Sequence, residues 1–167
     1  MRSFSSRLLV VGLCMATTMA LVPSIAASEG PAEMTRQEYV AKAEPVCKTN
    51  VLANKRIFQG AKAQVKSGKL KQASSHFSRA ATAFAKTIGQ LEAISPPAAD
   101  EATVNRWLGL LNDEKDLITK IGKALAANDK HKAESISVDL NRNSTKANNA
   151  VLSFGFNYCR IEPSRFG

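Results

Sequence analysis

At 167 residues, with a formal net charge of +9 and an isoelectric point near 9.7, the chain has room for one domain and carries a strongly basic surface. Aromatic residues make up only 6% of it while alanine is abundant, which fits a helical domain and argues against a sheet protein or a disordered tail.

Residues 1–27 read as a secretory signal peptide. Arg2 and Arg7 make a positive start, Leu8 to Val22 is apolar apart from two threonines, and Ser24-Ile25-Ala26-Ala27 offers small residues for cleavage after about Ala26 or Ala27. The apolar run falls short of the roughly 20 residues that a spanning helix needs. The processed protein is therefore expected to be secreted or extracytoplasmic, and not membrane-spanning. Cys14 follows Leu13, where a lipid-attachment signal wants a small residue, and is read as part of the removed segment. Removing residues 1–27 takes away two arginines and no acid, so the charge falls from +9 to +7. Cys47 and Cys159 remain, and an even cysteine count in an exported chain points to a disulfide between them.

Residues 28–34 form a short polar leader, and residues 35–167 are expected to be a single helical domain. Thr35-Arg36-Gln37-Glu38 matches a capping box. From there Val40, Ala43, Cys47, Val51, Phe58, Ala61 and Val65 recur at helical spacing up to a closing Gly68, with Pro45 expected to kink the helix and set residues 35–44 apart. A second helix carries the stripe Leu70, Ala73, Phe77, Ala81, Phe84, Ile88 and Leu91 and stops at Ser95-Pro96-Pro97. Asp100 is the expected N-cap of a third, which holds Val104, Trp107, Leu108, Leu111, Ile118, Ile121 and Leu125. After the break at Ala127-Asn128-Asp129, a fourth helix with Ala133, Ile136, Leu140, Ala147, Val151 and Phe154 ends at Gly155. Four helices with short connections predict an all-α, antiparallel up-down-up-down four-helix bundle closed by one disulfide.

In that topology Cys47 and Cys159 share a pole, but straight helices would leave them at different levels. At 1.5 Å per residue, Cys47 lies about 31 Å from Gly68 and Cys159 about 45 Å from Asp129, a mismatch of about 14 Å. The bridge therefore requires the last helix to stop near Phe154, with Gly155 reversing the chain so that Phe156 to Cys159 folds back.

Three stretches carry a resemblance: "TRQEYVAKAEPVC", the "SPP…D" break before a Trp-Leu helix, and "FGFNYC". They resemble small exported helical-bundle proteins predicted in actinobacteria, which share an early helix of the form Phe/Tyr-x-x-x-Ala-x-x-x-Cys and a late Gly-x-x-x-Cys. The resemblance spans most of the processed chain and implies a fold, not an activity. Many of those proteins carry a lipid-attachment cysteine in the signal segment, which this chain lacks, so tethering is not implied.

The sequence offers little to an enzyme. It has no Cys-x-x-Cys-His for covalent haem, and His131-x-x-Glu134 reverses the Glu-x-x-His order of di-iron bundles. His76 and His131 are too few for a zinc site, with His76 read as a boundary residue. No Gly-x-Ser-x-Gly elbow is present, and Asp113-Glu114-x-Asp116 reads as a solvated face. Asn143-Ser144-Thr145 is a glycosylation sequon expected to be idle inside a helix. No cofactor and no metal are expected.

One feature stands out. In the predicted topology the two tight loops fall at one pole, where Lys62, Lys66, Lys69, Lys71, Lys120, Lys123, Lys130 and Lys132 gather against only Asp129 and Glu134. The opposite pole carries Glu38, Glu44, Glu92, Asp100, Glu101 and Glu162. Lysines also suit helix C-termini, so a solubilising surface and a contact patch are both open. The expected function is a non-enzymatic cell-envelope binding or interaction protein that contacts an anionic envelope component, a membrane surface or an acidic protein through the lysine-rich pole. Nucleic acid is disfavoured by the compartment and by the lack of aromatics among the lysines. The alternative is a carrier of a small apolar ligand in the bundle core.

Overall fold

The computed structural model describes residues 33–162; the signal-peptide reading, its cleavage site and most of the leader lie outside them. The described residues are all-helical, with no strand among them. Five α-helices follow in order: α1 (Arg36–Ile57), α2 (Ala61–Lys66), α3 (Leu70–Glu92), α4 (Glu101–Ala126) and α5 (Lys130–Ala150). Short 3-10 turns at Ala98–Asp100 and Leu152–Phe154 precede α4 and follow α5.

α1 starts at the expected capping box. The Glu38 backbone N–H donates to Thr35 Oγ1 at 3.2 Å, and Thr35 N–H donates back to Glu38 Oε2 at 2.8 Å. That backbone donor, joined by the Thr35 hydroxyl, holds the Glu38 carboxyl below its ordinary range. The expected division at Pro45 is not found: α1 runs unbroken through it. Tyr39 and Ala43 before the proline and Cys47 after it are all buried, so tertiary packing holds both sides of the missing hydrogen bond in one helix. The first expected helix divides instead after Ile57. Gly60, in the left-handed region at φ +83°, supplies a backbone turn that other residues adopt at a cost.

Two tight loops share one device. Lys69 N–H reaches Gln64 O at 2.8 Å while Gly68 N–H reaches Val65 O at 3.2 Å, with Gly68 at φ +74°. Asp129 N–H reaches Ala124 O at 2.9 Å and Asn128 N–H reaches Leu125 O at 3.0 Å, with Asn128 at φ 61°. Both are Schellman closures, which satisfy the last carbonyls of α2 and α4. Asp129 then caps α5 by accepting from Lys132 N–H at 2.9 Å. Asp100 precedes α4 as expected but makes no side-chain cap; its carboxylate is taken by Arg36 instead.

α3 packs against α4, α4 against α5 and α1 against α3. The apolar side chains sort into two clusters. One joins Tyr39, Ala43 and Cys47 of α1 to Phe84, Ile88 and Leu91 of α3, Val104, Trp107 and Leu111 of α4, and Ala147 of α5. The other joins Leu70 and Ala73 at the start of α3 to Ile121, Ala124 and Leu125 near the end of α4 and Ala133 at the start of α5. At Gly122 a Cβ would lie 3.2 Å from Phe77 Cβ, so α3 and α4 approach closely there.

Cys47 and Cys159 form a disulfide with a Cα–Cα distance of 5.0 Å. α5 ends at Ala150, four residues before the expected Phe154, and the 3-10 turn leads into Gly155 at φ +68°. From there the chain returns as a strap over α1 and α4. Glu44 accepts from Asn157 N–H at 2.6 Å and from Tyr158 N–H at 3.1 Å. Asn148 fixes Ile161 twice, donating to its carbonyl at 2.8 Å and accepting from its N–H at 2.7 Å. Phe156 stacks on Trp107 with ring centroids 5.4 Å apart.

Candidate functional site

All eight lysines singled out from the sequence are exposed. Lys120, Lys123 and Lys132 line one groove of about 430 Å³ together with Ala124, Ala127, Asp129 and Ile136. Lys62 and Lys66 lie on α2, Lys69 precedes α3 and Lys71 is in its first turn. These residues flank Val65, Leu70 and Ala73, which belong to the same cluster as Ile121, Ala124, Leu125 and Ala133. The α2–α3 and α4–α5 junctions thus sit on one part of the core. Lys130 is partly engaged, with Nζ 3.5 Å from Glu134 Oε1.

Helix dipoles account for only part of this set. Lys66 and Lys123 lie in the last turns of α2 and α4, where a cation is favoured. Lys69, Lys71, Lys130 and Lys132 lie at the N-terminal ends of α3 and α5, where a cation is disfavoured, and neither first turn contains an acid.

The acids assigned to the opposite pole are largely occupied. Arg36 forks onto Asp100, with Nε 2.8 Å from Oδ2 and Nη2 2.5 Å from Oδ1, and hydrogen bonding to that guanidinium holds the Asp100 carboxyl below its usual range. Glu38 serves the capping box, Glu44 holds the strap, and Glu92 accepts from Asn112 Nδ2 at 3.3 Å. Glu101 is exposed.

A second feature lies behind the disulfide. Sequence reasoning put Glu114 on a solvated face with Asp113 and Asp116; those two are exposed, but Glu114 is only 4% exposed. Helical spacing contains the clue, because Glu114 falls in the register of Trp107, Leu111, Ile118 and Ile121. Ser144 Oγ donates to Glu114 Oε1 at 3.1 Å, while Oε2 is buried without a partner. Burial pushes the carboxyl up to about 8, so it is mostly a neutral acid at pH 7. Glu114, Asn54, Thr87 and Trp107 line a cavity of about 50 Å³ whose rim includes Tyr158 and Arg160. Asn54, 7% exposed, was not singled out in the sequence, although it stands seven residues after Cys47 on the buried side of α1.

The remaining residues raised in the sequence find structural places. His76 is half-buried, with Nδ1 against Ile57 O and Nε2 3.1 Å from Gln64 Oε1. His131 is exposed at the start of α5. Asn143, the sequon asparagine, is buried and donates to Leu110 O at 2.8 Å. Among the described residues no group of three or more His, Cys, Asp and Glu side chains could hold a metal ion, and no helix is long and apolar enough to cross a membrane. No protein-family model, curated protein or solved structure matches this chain.

Proposed function

We propose that the chain is an exported, non-enzymatic protein of the cell envelope whose lysine-rich end contacts an anionic surface, in the setting of an antiparallel up-down-up-down bundle. The antiparallel course is supported by the second core cluster, in which the start of α3 meets the end of α4 and the start of α5. Export is supported by the disulfide, which persists in oxidising compartments, and by the signal-like first 27 residues. The resemblance to small exported actinobacterial bundle proteins points the same way.

One observation carries the contact reading. Four of the eight lysines stand at helix N-termini against the dipole; at α5 the Asp129 cap and Glu134 offset Lys130 and Lys132, whereas at α3 no side-chain cap and no acid in the first turn offsets Lys69 and Lys71. Gathering cations there carries an electrostatic penalty that a purely solubilising surface has no reason to bear. An anionic partner, whether envelope lipid, cell-wall polymer or acidic protein, would relieve that repulsion. Vesicles of phosphatidylglycerol and phosphatidylcholine test it: binding should be firm at low salt and fall steeply towards physiological salt, because exposed charges are screened within about 10 Å at 0.1 M. Lack of binding to both these vesicles and a soluble polyanion at low salt would reject the reading. The alternative, a carrier of a small apolar ligand in the bundle core, has less support, because the interior cavity is only about 50 Å³ and its lining includes Asn50, Asn54, Thr87 and Glu114.

A further inference from the structure

We propose that the groove between the end of α4 and the start of α5 binds one anionic phospholipid, an inference that rests on the lysine-rich end being the contact surface. The lipid phosphate sits among the lysines, with the glycerol and first acyl carbons on the apolar lining. Lys120 and Lys123 come from α4 and Lys132 from α5, so both helices bring cations to the groove. Asp129 is the one acid in this lining, and its carboxylate already accepts Lys132 N–H at 2.9 Å. Among the described residues none of the three lysines is held in an ion pair. The rest of the lining is apolar: Ala124 is buried, Ile136 half-buried and Ala127 exposed.

Cations beside hydrocarbon select an occupant that is anionic in one part and apolar in another. A phosphate or carboxylate polymer supplies the charge but leaves Ile136 and Ala127 uncovered. It would also need the cation excess to continue along the seam between α4 and α5, and the excess stops at Lys120. The next stretch, which Lys120 also lines, holds Asp113, Asp116 and Asp139 beside Arg142 and Lys146, so its charges balance. Arg142 is moreover engaged there, with Nη1 3.1 Å from Asp139 Oδ1.

An acidic amphipathic helix would need apolar anchors on successive turns, whereas Ile136 is the one large apolar side chain among the described residues lining this groove. A phospholipid asks for less: one anionic head and a short length of hydrocarbon. The volume of about 430 Å³ suits it, since sites for small organic molecules run from about 300 to 1,000 Å³. The groove extends to the α4–α5 turn at Ala127 and Asp129. It therefore reaches the lysine-rich end, and a membrane that this end contacts presents its headgroups there.

The test is to titrate the protein, purified after expression of the full chain, with dihexanoyl phosphatidylglycerol below its micelle concentration. The backbone amide resonances of Lys123, Ala127 and Ile136 should shift and saturate. Glycerol 1-phosphate has the charge without the chains, and dihexanoyl phosphatidylcholine has the chains without net charge; each should need at least tenfold higher concentration. Ala127→Glu adds a carboxylate at an exposed lining position, keeps every lysine, and should weaken the phosphatidylglycerol response at least tenfold. No saturable shift, an equal response to either control ligand, or an unchanged response in Ala127→Glu would each overturn the proposal, and the three ligand arms decide it without any variant. Vesicles separate the two levels of failure. Binding to phosphatidylglycerol vesicles without a response to the monomer overturns the groove alone, whereas failure with vesicles and a soluble polyanion as well rejects the lysine-rich end as the contact surface.

Discussion

Ser144 of α5 donates its hydroxyl to Glu114 of α4 at 3.1 Å, and this is the hydrogen bond that a carboxyl 4% exposed receives inside an otherwise helical core. Burial raises Glu114 to about 8 in the folded chain against 4.5 for the ordinary group. The native state therefore holds this proton across a range where the unfolded chain has released it, so the contribution of Glu114 to stability is fully present below pH 4.5 and is lost as pH rises towards 8, opposite in sign to the contributions of Glu38 and Asp100. Asn50 and Asn54 from α1, Thr87 from α3, Ser144 from α5 and Arg160 from the strap surround the carboxyl or its cavity; only Arg160 is charged, and it would moderate the effect. At about 1.4 kcal/mol per pKa unit the ceiling is roughly 5 kcal/mol. Denaturant unfolding between pH 5 and pH 8 should show this slope, and Glu114→Gln should flatten it. A slope unchanged in Glu114→Gln would assign the effect elsewhere.

The strap makes a second prediction. The disulfide closes a loop of more than a hundred residues, for which the chain-entropy model gives roughly 4.7 kcal/mol as an upper figure. Cys47→Ser with Cys159→Ser should lower the melting temperature markedly and leave most of the helix content in place. The intact protein should show a mass two hydrogens below its reduced form and should resist alkylation until reduced. Glu44→Gln, which weakens the carboxylate that accepts Asn157 and Tyr158 N–H, should speed reduction of the bridge by thiols.

Glycines inside the helices separate propensity from packing. Gly89 in α3 and Gly109 in α4 meet nothing within 4 Å of an added Cβ, so each change to Ala should stabilise by about 0.5–1 kcal/mol. Gly122→Ala places its Cβ 3.2 Å from Phe77 Cβ and should give none of that gain, or a net loss. Gly155→Ala, at φ +68°, should destabilise the strap despite open space around it. Thermal melts of the four variants check the order.

The helical class, the two tight loops and the cysteine partner were legible because each rests on local chemistry: apolar spacing, a Gly or Asn in the left-handed region, and an even thiol count. The break in the first helix was misplaced because Pro45 is the stronger local breaker, whereas the packing of Tyr39 and Cys47 on either side decides the outcome. Tyr39 in place of Val40 as the core position follows from the same cause, since a one-residue rotation of the stripe is settled by what the helix packs against. Glu114 and Asn54 were hidden for a different reason. Polar type outweighed position when Glu114 was grouped with Asp113 and Asp116, although its register matched the buried stripe. The lysine-rich end was legible because the breaks at Gly68 and at Ala127-Asn128-Asp129 were both expected, so that Lys69, Lys71, Lys130 and Lys132 already fell at helix N-termini.

The most direct measurement for the account as a whole is binding to phosphatidylglycerol vesicles by the native protein and by a variant carrying Lys66→Gln, Lys69→Gln, Lys130→Gln and Lys132→Gln. Near an anionic membrane each lysine contributes about 1 kcal/mol, so the four changes should weaken binding by two orders of magnitude or more at low salt. Helix content and melting should be nearly unchanged, because exposed substitutions are usually small in stability and the Lys130–Glu134 pair is solvent-exposed. Vesicle affinity that is equal in the two proteins, with both folded, would contradict the assignment and leave the lysines as a solubilising surface.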